Sequence, residues 1–118
     1  MPYRLHKVAE AIKNAVAEII VEDIADPKLG FVSITAVKLT NDYKHATLYF
    51  SAFGENVKQE VVLNHLNRAA NFIKNRLKDK VVLRYLPELV FDIDRLLQEE
   101  RKIGEILNEL NKPSETTN

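Results

Sequence analysis

Apolar residues recur at two different periods along this 118-residue chain, and each switch of period marks an element boundary. From residue 4 to about residue 24, Leu5, Val8, Ile12, Val16, Ile19 and Ile20 fall on one face of a helix. Asp26-Pro27 ends it, because the residue before a proline is driven out of the helical region. Lys28-Leu29-Gly30 turns the chain into residues 31–39, a run rich in β-branched side chains. A polar link over residues 40–44 follows, with Asn41-Asp42 as its turn signal. Ala46, Leu48, Phe50 and Ala52 then alternate with Thr47, Tyr49, Ser51 and Phe53. The two runs are expected to pair as an antiparallel hairpin with one face under helices.

Gly54-Glu55-Asn56 breaks the sheet, and Asn56 followed by Gln59 reads as a helix N-cap with its capping-box partner. The stripe Val62, Leu66, Ala69, Ile73 and Leu77 runs on without interruption, so periodicity alone permits one unbroken helix. Residues 81–87 form a connector, after which Leu89, Phe91 and Ile93 alternate with Val90, Asp92 and Asp94 as a third strand. Asp94 is placed to cap a last helix whose stripe is Leu96, Ile103, Ile106, Leu107 and Leu110, and residues 113–118 read as a disordered polar tail. Helix, strand, strand, helix, helix, strand, helix is an α+β arrangement, with a three-stranded sheet covered by helices in one domain over residues 1–112.

Composition narrows the function classes. There is no cysteine, hence no disulfide framework, thiol chemistry or thiolate metal site. No apolar run approaches the ~20 residues of a membrane span, and the first ten residues lack the apolar core of a signal peptide, so a soluble, cytoplasmic protein is expected. A formal net charge of zero argues at first against a nucleic-acid partner. Its distribution reverses the argument. Between residues 61 and 86 six basic residues (Arg68, Lys74, Arg76, Lys78, Lys80, Arg84) face one acid, Asp79, whereas residues 87–118 hold four basic residues against eight acids. One end of such a dipole can meet phosphates.

Other chemistry finds less support. His6, His45 and His65 are scattered with no metal-site spacing. Glu88, Asp92 and Asp94 could suggest paired carboxylates, but Asp92 and Asp94 share one strand face and Asp94 suits a helix cap. Tyr43, Tyr49 and Phe53 could stack on bases, yet on a sheet beneath helices they are expected to pack. No phosphate loop, dinucleotide fingerprint or nucleophile elbow is present, and no cofactor or small-molecule substrate is implied.

Several local motifs, in order, carry a resemblance: Arg4 with Lys7-Val8, Asp26-Pro27-Lys28, Val32-Ser33-Ile34-Thr35-Ala36-Val37, and Asn41-Asp42 with Ala46 and Tyr49. They continue with Leu66-Asn67-Arg68-Ala69, Ile73-Lys74, and the most specific group, Arg84-Tyr85-Leu86-Pro87-Glu88-Leu89-Val90-Phe91. Over roughly residues 4–110 the chain resembles the ribosome-binding factor A family. The resemblance implies a type II KH fold without enzymatic activity that binds the immature small (30S) ribosomal subunit. It further implies support of 16S rRNA maturation at the 5′ end, with most importance in the cold. The family carries alanine, any residue, then glycine at a kink between two helices; here that kink aligns with Ala69-Ala70-Asn71, where asparagine replaces glycine and tolerates a left-handed backbone at a modest cost that glycine avoids.

With glycine only at positions 30, 54 and 104, the chain has no Gly-x-x-Gly loop, so any RNA contact should be mainly to phosphates and shape. The candidate rRNA-binding residues are Arg68, Lys74, Arg76, Lys78, Lys80 and Arg84, helped by Arg4 and Lys7. The plainer reading of the same residues is a solvated helical face. Two function classes follow: a ribosome assembly factor, monomeric when free, or a protein-interaction module that docks a partner through its acidic last helix or hairpin edge without RNA.

Overall fold

The central element is the strand that alternates most strictly. In a computed structural model, which describes residues 2–24 and 26–96, β1 (Phe31–Leu39), β2 (His45–Phe53) and β3 (Glu88–Ile93) form a sheet in the order β1-β2-β3. β1 and β2 pair antiparallel, from Phe31 opposite Phe53 to Leu39 opposite Ala46, with a register shift between Ile34 and Ala36. β3 adds to β2 in parallel, Glu88 opposite His45 and Ile93 opposite Phe50. The helices are α1 (Pro2–Asp23), α2 (Gln59–Arg68) and α3 (Ala70–Leu77), with one turn of 3-10 helix at Pro27–Leu29. This is the α+β arrangement expected through residue 93; the anticipated last helix beyond residue 96 lies outside the described residues.

Alternation decides which sheet face is covered. Leu48 and Phe50 of β2 have no exposure, Phe91 of β3 has almost none, and they meet Ile12, Val16 and Ile19 of α1, Val62 and Leu66 of α2, and Ile73 and Leu77 of α3. Each such side chain contributes about 1.5–3 kcal/mol by leaving water. The stripes read for α1 and for α2 with α3, and the alternating residues of the strands, therefore supply the core, whereas Leu96, the one described residue of the stripe expected for a last helix, is exposed.

At the hairpin turn the Asp42 carboxylate accepts from the Thr40 hydroxyl (2.7 Å) and the Lys44 amide (3.0 Å), and the left-handed residue is Tyr43, at φ 67°. Tyr43 is thus no sheet residue. The end of β2 differs from expectation more sharply. Asn56 does not cap α2: it occupies a left-handed turn position at φ 63°, and Lys58 precedes the helix with no side-chain cap. Gln59 instead turns its amide onto the backbone of Ala52, accepting from its N–H (2.9 Å) and donating to its carbonyl (2.7 Å). Eight residues along α2, Asn67 does the same to Phe91, at 2.8 and 3.2 Å. Two side-chain amides thus occupy strand backbone groups that no neighbouring strand reaches, the usual hazard of a sheet edge.

The helix break falls at Ala69, whose φ −90° and ψ 0° lie in the sparsely populated bridge region. Its N–H reaches back to His65 and Leu66 and its carbonyl accepts from Ile73, so one helix ends and the next begins on one residue. Asn71 is helical and exposed and makes no use of the left-handed backbone it can tolerate, because the turn is taken two residues earlier on a small, half-buried side chain. Before the break α2 packs on β3; after it α3 packs against both α1 and β3.

Gly30 sits at φ 65°, ψ −150°, a conformation essentially confined to glycine. A Cβ there would lie 2.3 Å from the Phe53 carbonyl oxygen and 2.7 Å from Val57 Cγ2. Gly30→Ala is expected to cost at least about 2 kcal/mol, from backbone strain plus a clash with backbone that cannot rotate away. Urea unfolding of the variant beside the unaltered protein measures it.

Candidate nucleic-acid interface

The eight candidate cations do not form one uniform surface. Residues 76–85 run back along α1 from its C-terminal to its N-terminal half, and that path sorts them. Arg76 reaches Asp23 (3.3 Å) and Asp79 (3.7 Å), and Lys80 reaches Glu18 (2.6 Å) and Glu22 (2.8 Å). Lys74 is bonded to Glu88 at the start of β3. Three cations of the basic run are therefore engaged by acids, two of them joining α3 and the following turn to α1.

The proton equilibria register these pairings. Hydrogen bonding and charge from Lys80 hold the Glu18 carboxyl below its ordinary value near 4.5, and the two glutamates hold the Lys80 ammonium above its own. Lys74 lowers Glu88 in the same way. Asp42 is lowered chiefly by the Thr40 hydroxyl, then by the Lys44 amide.

Arg68 closes α2 and Lys78 follows α3; both are exposed, and neither has an ion pair among the described residues. Arg4 and Lys7 are exposed near the start of α1. Arg84 places its guanidinium 5.6 Å from the centroid of the Tyr85 ring, a cation–π geometry. Arg4 and Arg84 come together on one groove of about 290 Å³, shared with Tyr43 and Tyr85. A second recess of about 470 Å³ shares Arg84 and Tyr85 and adds Lys44 and His45.

The sequence reading missed Lys44 and placed Tyr43 on the sheet; Tyr43 does pack against the core, as expected, but from the hairpin turn. The signal available for both was the turn itself, since residues in a hairpin loop are carried out of the sheet. Ala69 and Ala70 pack against the core, so the helix break shapes the fold locally and offers no polar side chain of its own. Among the described residues no group of three His, Asp or Glu is placed to hold a metal, and no helix is long and apolar enough to cross a membrane.

A three-stranded mixed sheet under three helices, with cations and aromatic rings gathered beside a hairpin turn, defines a small α+β binding domain. The chain belongs to the ribosome-binding factor A family: the family model "Ribosome-binding factor A" matches residues 4–107. It is 39% identical over 111 residues to ribosome-binding factor A of Desulforamulus reducens, covering 94% of this chain and 92% of the relative. It is 36% identical to that of Geobacter metallireducens, covering 91% of each. Among solved structures it is similar to the crystal structure of ribosome-binding factor A from Thermus thermophilus, with TM-score 0.68, 31% identity and coverage of 77% of this chain and 97% of the other. A Thermus thermophilus homology model fitted into the cryo-EM map of a 30S complex with that factor is similar too, with TM-score 0.62, 33% identity and coverage of 72% and 89%.

The ion pairs predict a division of labour among the lysines. Lys80→Ala is expected to lower the thermal unfolding midpoint, and Lys78→Ala to leave it unchanged. Glu18 has a folded value below its unfolded one, so its stabilisation is complete above pH 4.5 and disappears as pH falls through the lowered value. The gap between Lys80→Ala and the unaltered protein should therefore close on acidification below that point, as thermal melts across a pH series would show.

Proposed function

We propose that this protein is a non-enzymatic assembly factor that binds the immature small ribosomal subunit through 16S rRNA and supports its late maturation, including processing of the 5′ end, with most importance in the cold. The observation that carries the reading is the family match over residues 4–107, joined to a similar structure fitted into a 30S complex. The element order through β3 supports the type II KH-like description implied by the resemblance. We take the factor to act in the cytoplasm as a monomer when free, and residues 1–112 to form one domain with the remainder as a tail.

Mechanistically, a factor of this kind acts by differential affinity. It holds an rRNA conformation only as far as it prefers that conformation to the mature one. Arg4, Lys44, Arg68, Lys78 and Arg84 are the cations best placed for phosphate contact, because Lys74, Arg76 and Lys80 must first give up carboxylate partners. Those same pairings favour a second reading, in which the basic run is structural and the protein docks a protein partner instead. Salt separates the two, since each neutralised phosphate contributes about −0.7 to −0.9 to the slope of log affinity against log salt.

Sedimentation with purified small subunits, large subunits and whole ribosomes tests the proposal. Selective pelleting with small subunits, weakened in Arg68→Glu/Lys78→Glu and falling steeply with salt, is the expected result. Failure to pellet with small subunits overturns it. Pelleting with a slope near zero moves the contact from rRNA to ribosomal protein.

A further inference from the structure

The groove between α1 and residues 82–85 has features that phosphate contact alone leaves unexplained. Its walls are partly flat and apolar: Val8 on α1, Tyr43 from the hairpin turn, and Val82 and Tyr85 from the connector, with Arg4 and Arg84 at its margin. Val82 is fully exposed and Tyr85 is 47% exposed, so two large apolar side chains stand at one mouth with little covering them. Tyr43 reaches the groove from a left-handed backbone, φ 67°, which is rare for a bulky aromatic residue. The bonds from Thr40 and Lys44 to Asp42 hold that turn in place. Strain retained at a recess is the kind of outlier from which a binding role can be argued.

Size and charge narrow the occupant. At about 290 Å³ the groove lies at the lower limit of ligand pockets, which run from about 300 to 1,000 Å³, so it suits one planar ring system. The Arg84 guanidinium over Tyr85 adds a second flat, cationic platform beside the rings. Lys44 extends the positive margin into the neighbouring recess. The carboxylate in that recess, Glu88, is already bonded to Lys74 and so offsets little of the added charge.

We propose that this groove takes one unstacked nucleobase of a single-stranded RNA segment, stacked against Tyr43 or Tyr85, with the flanking phosphates on Arg4, Arg84 and Lys44. This inference rests on the rRNA-binding reading and refines it. Stacking on an aromatic side chain needs no Gly-x-x-Gly grip, because every base offers a face. The groove thereby supplies a contact to unpaired RNA that the chain's lack of a Gly-x-x-Gly loop otherwise denies it.

The test is affinity for purified small subunits, measured at several salt concentrations, for the full chain and for Tyr43→Gly, Tyr85→Leu and Tyr85→Phe. Glycine accepts the left-handed backbone at position 43 but gives up the contact Tyr43 makes with the core, whereas Tyr85 lies outside the core and its variants carry the test if Tyr43→Gly is destabilised; far-ultraviolet circular dichroism and thermal melts check folding. Tyr43→Gly and Tyr85→Leu should bind roughly five- to 150-fold more weakly, with an unchanged salt slope, and Tyr85→Phe should bind like the unaltered protein. Folded variants that bind as tightly as the unaltered protein overturn the base pocket and leave the subunit reading intact. A loss that Tyr85→Phe shares, or one that comes with a shallower slope, also overturns it, because the contact then runs through the hydroxyl or through phosphates. Failure of the unaltered protein to bind small subunits overturns both readings.

Discussion

Parallel pairing of β3 with β2 is the constraint from which the rest of the architecture follows. A hairpin can join antiparallel neighbours in a few residues, whereas a parallel neighbour must begin beside the start of the strand it joins. The chain leaves β2 at Phe53 and must reach Glu88, which sits opposite His45. Everything between those residues is crossover. α2 and α3 carry the chain over the covered face of the sheet, and the break at Ala69 lets one apolar stripe serve two packing directions, first β3, then α1 and β3. The connector that completes the return runs along α1, and so brings Arg84 and Tyr85 to Arg4.

The elements whose signal is local were legible in the sequence. The alternation in β2, the stripe of α1 and the Asp26-Pro27 stop all survive in the structure because burial on one face, or one forbidden backbone region, determines them. What escaped the sequence were interactions whose partners belong to a different element. Gln59 three residues after Asn56 has the spacing of a capping box, yet its amide is held by Ala52, and the backbone that binds Asn67 belongs to Phe91, 24 residues on. Likewise Asn56 and Asn71 are equally able to turn left-handed. The turn closing β2 uses the first, and the break at Ala69 leaves the second inside a regular helix.

The candidate interface shows the same limit in electrostatic form. Counting charge in a window from residue 61 to 86 finds a basic run, but the acids that answer it, Asp23, Glu22 and Glu18, stand 53 to 62 residues earlier. They fall on one helix at a spacing that meets the returning connector. Charge runs therefore describe composition, and only packing tells which cations remain available. Arg4 and Arg84 were legible as candidates, whereas their meeting with Tyr43 depends on the connector returning along α1, which no short window encodes.

This sorting bears on how a protein with no net charge could hold RNA and later let it go. Long-range attraction is weak when acids and bases balance, so non-specific phosphate binding, which grows with every neutralised contact, stays low. Three cations engaged by carboxylates lower it further, since each phosphate bond they made would be offset by a broken ion pair. On the proposed function that economy is useful. A factor that distinguishes two conformations of one rRNA gains nothing from attraction common to both, because only the difference in affinity shifts the equilibrium. Flat aromatic contacts to a base unpaired in one conformation and paired in the other would contribute to that difference, whereas contacts to phosphates present in both would not.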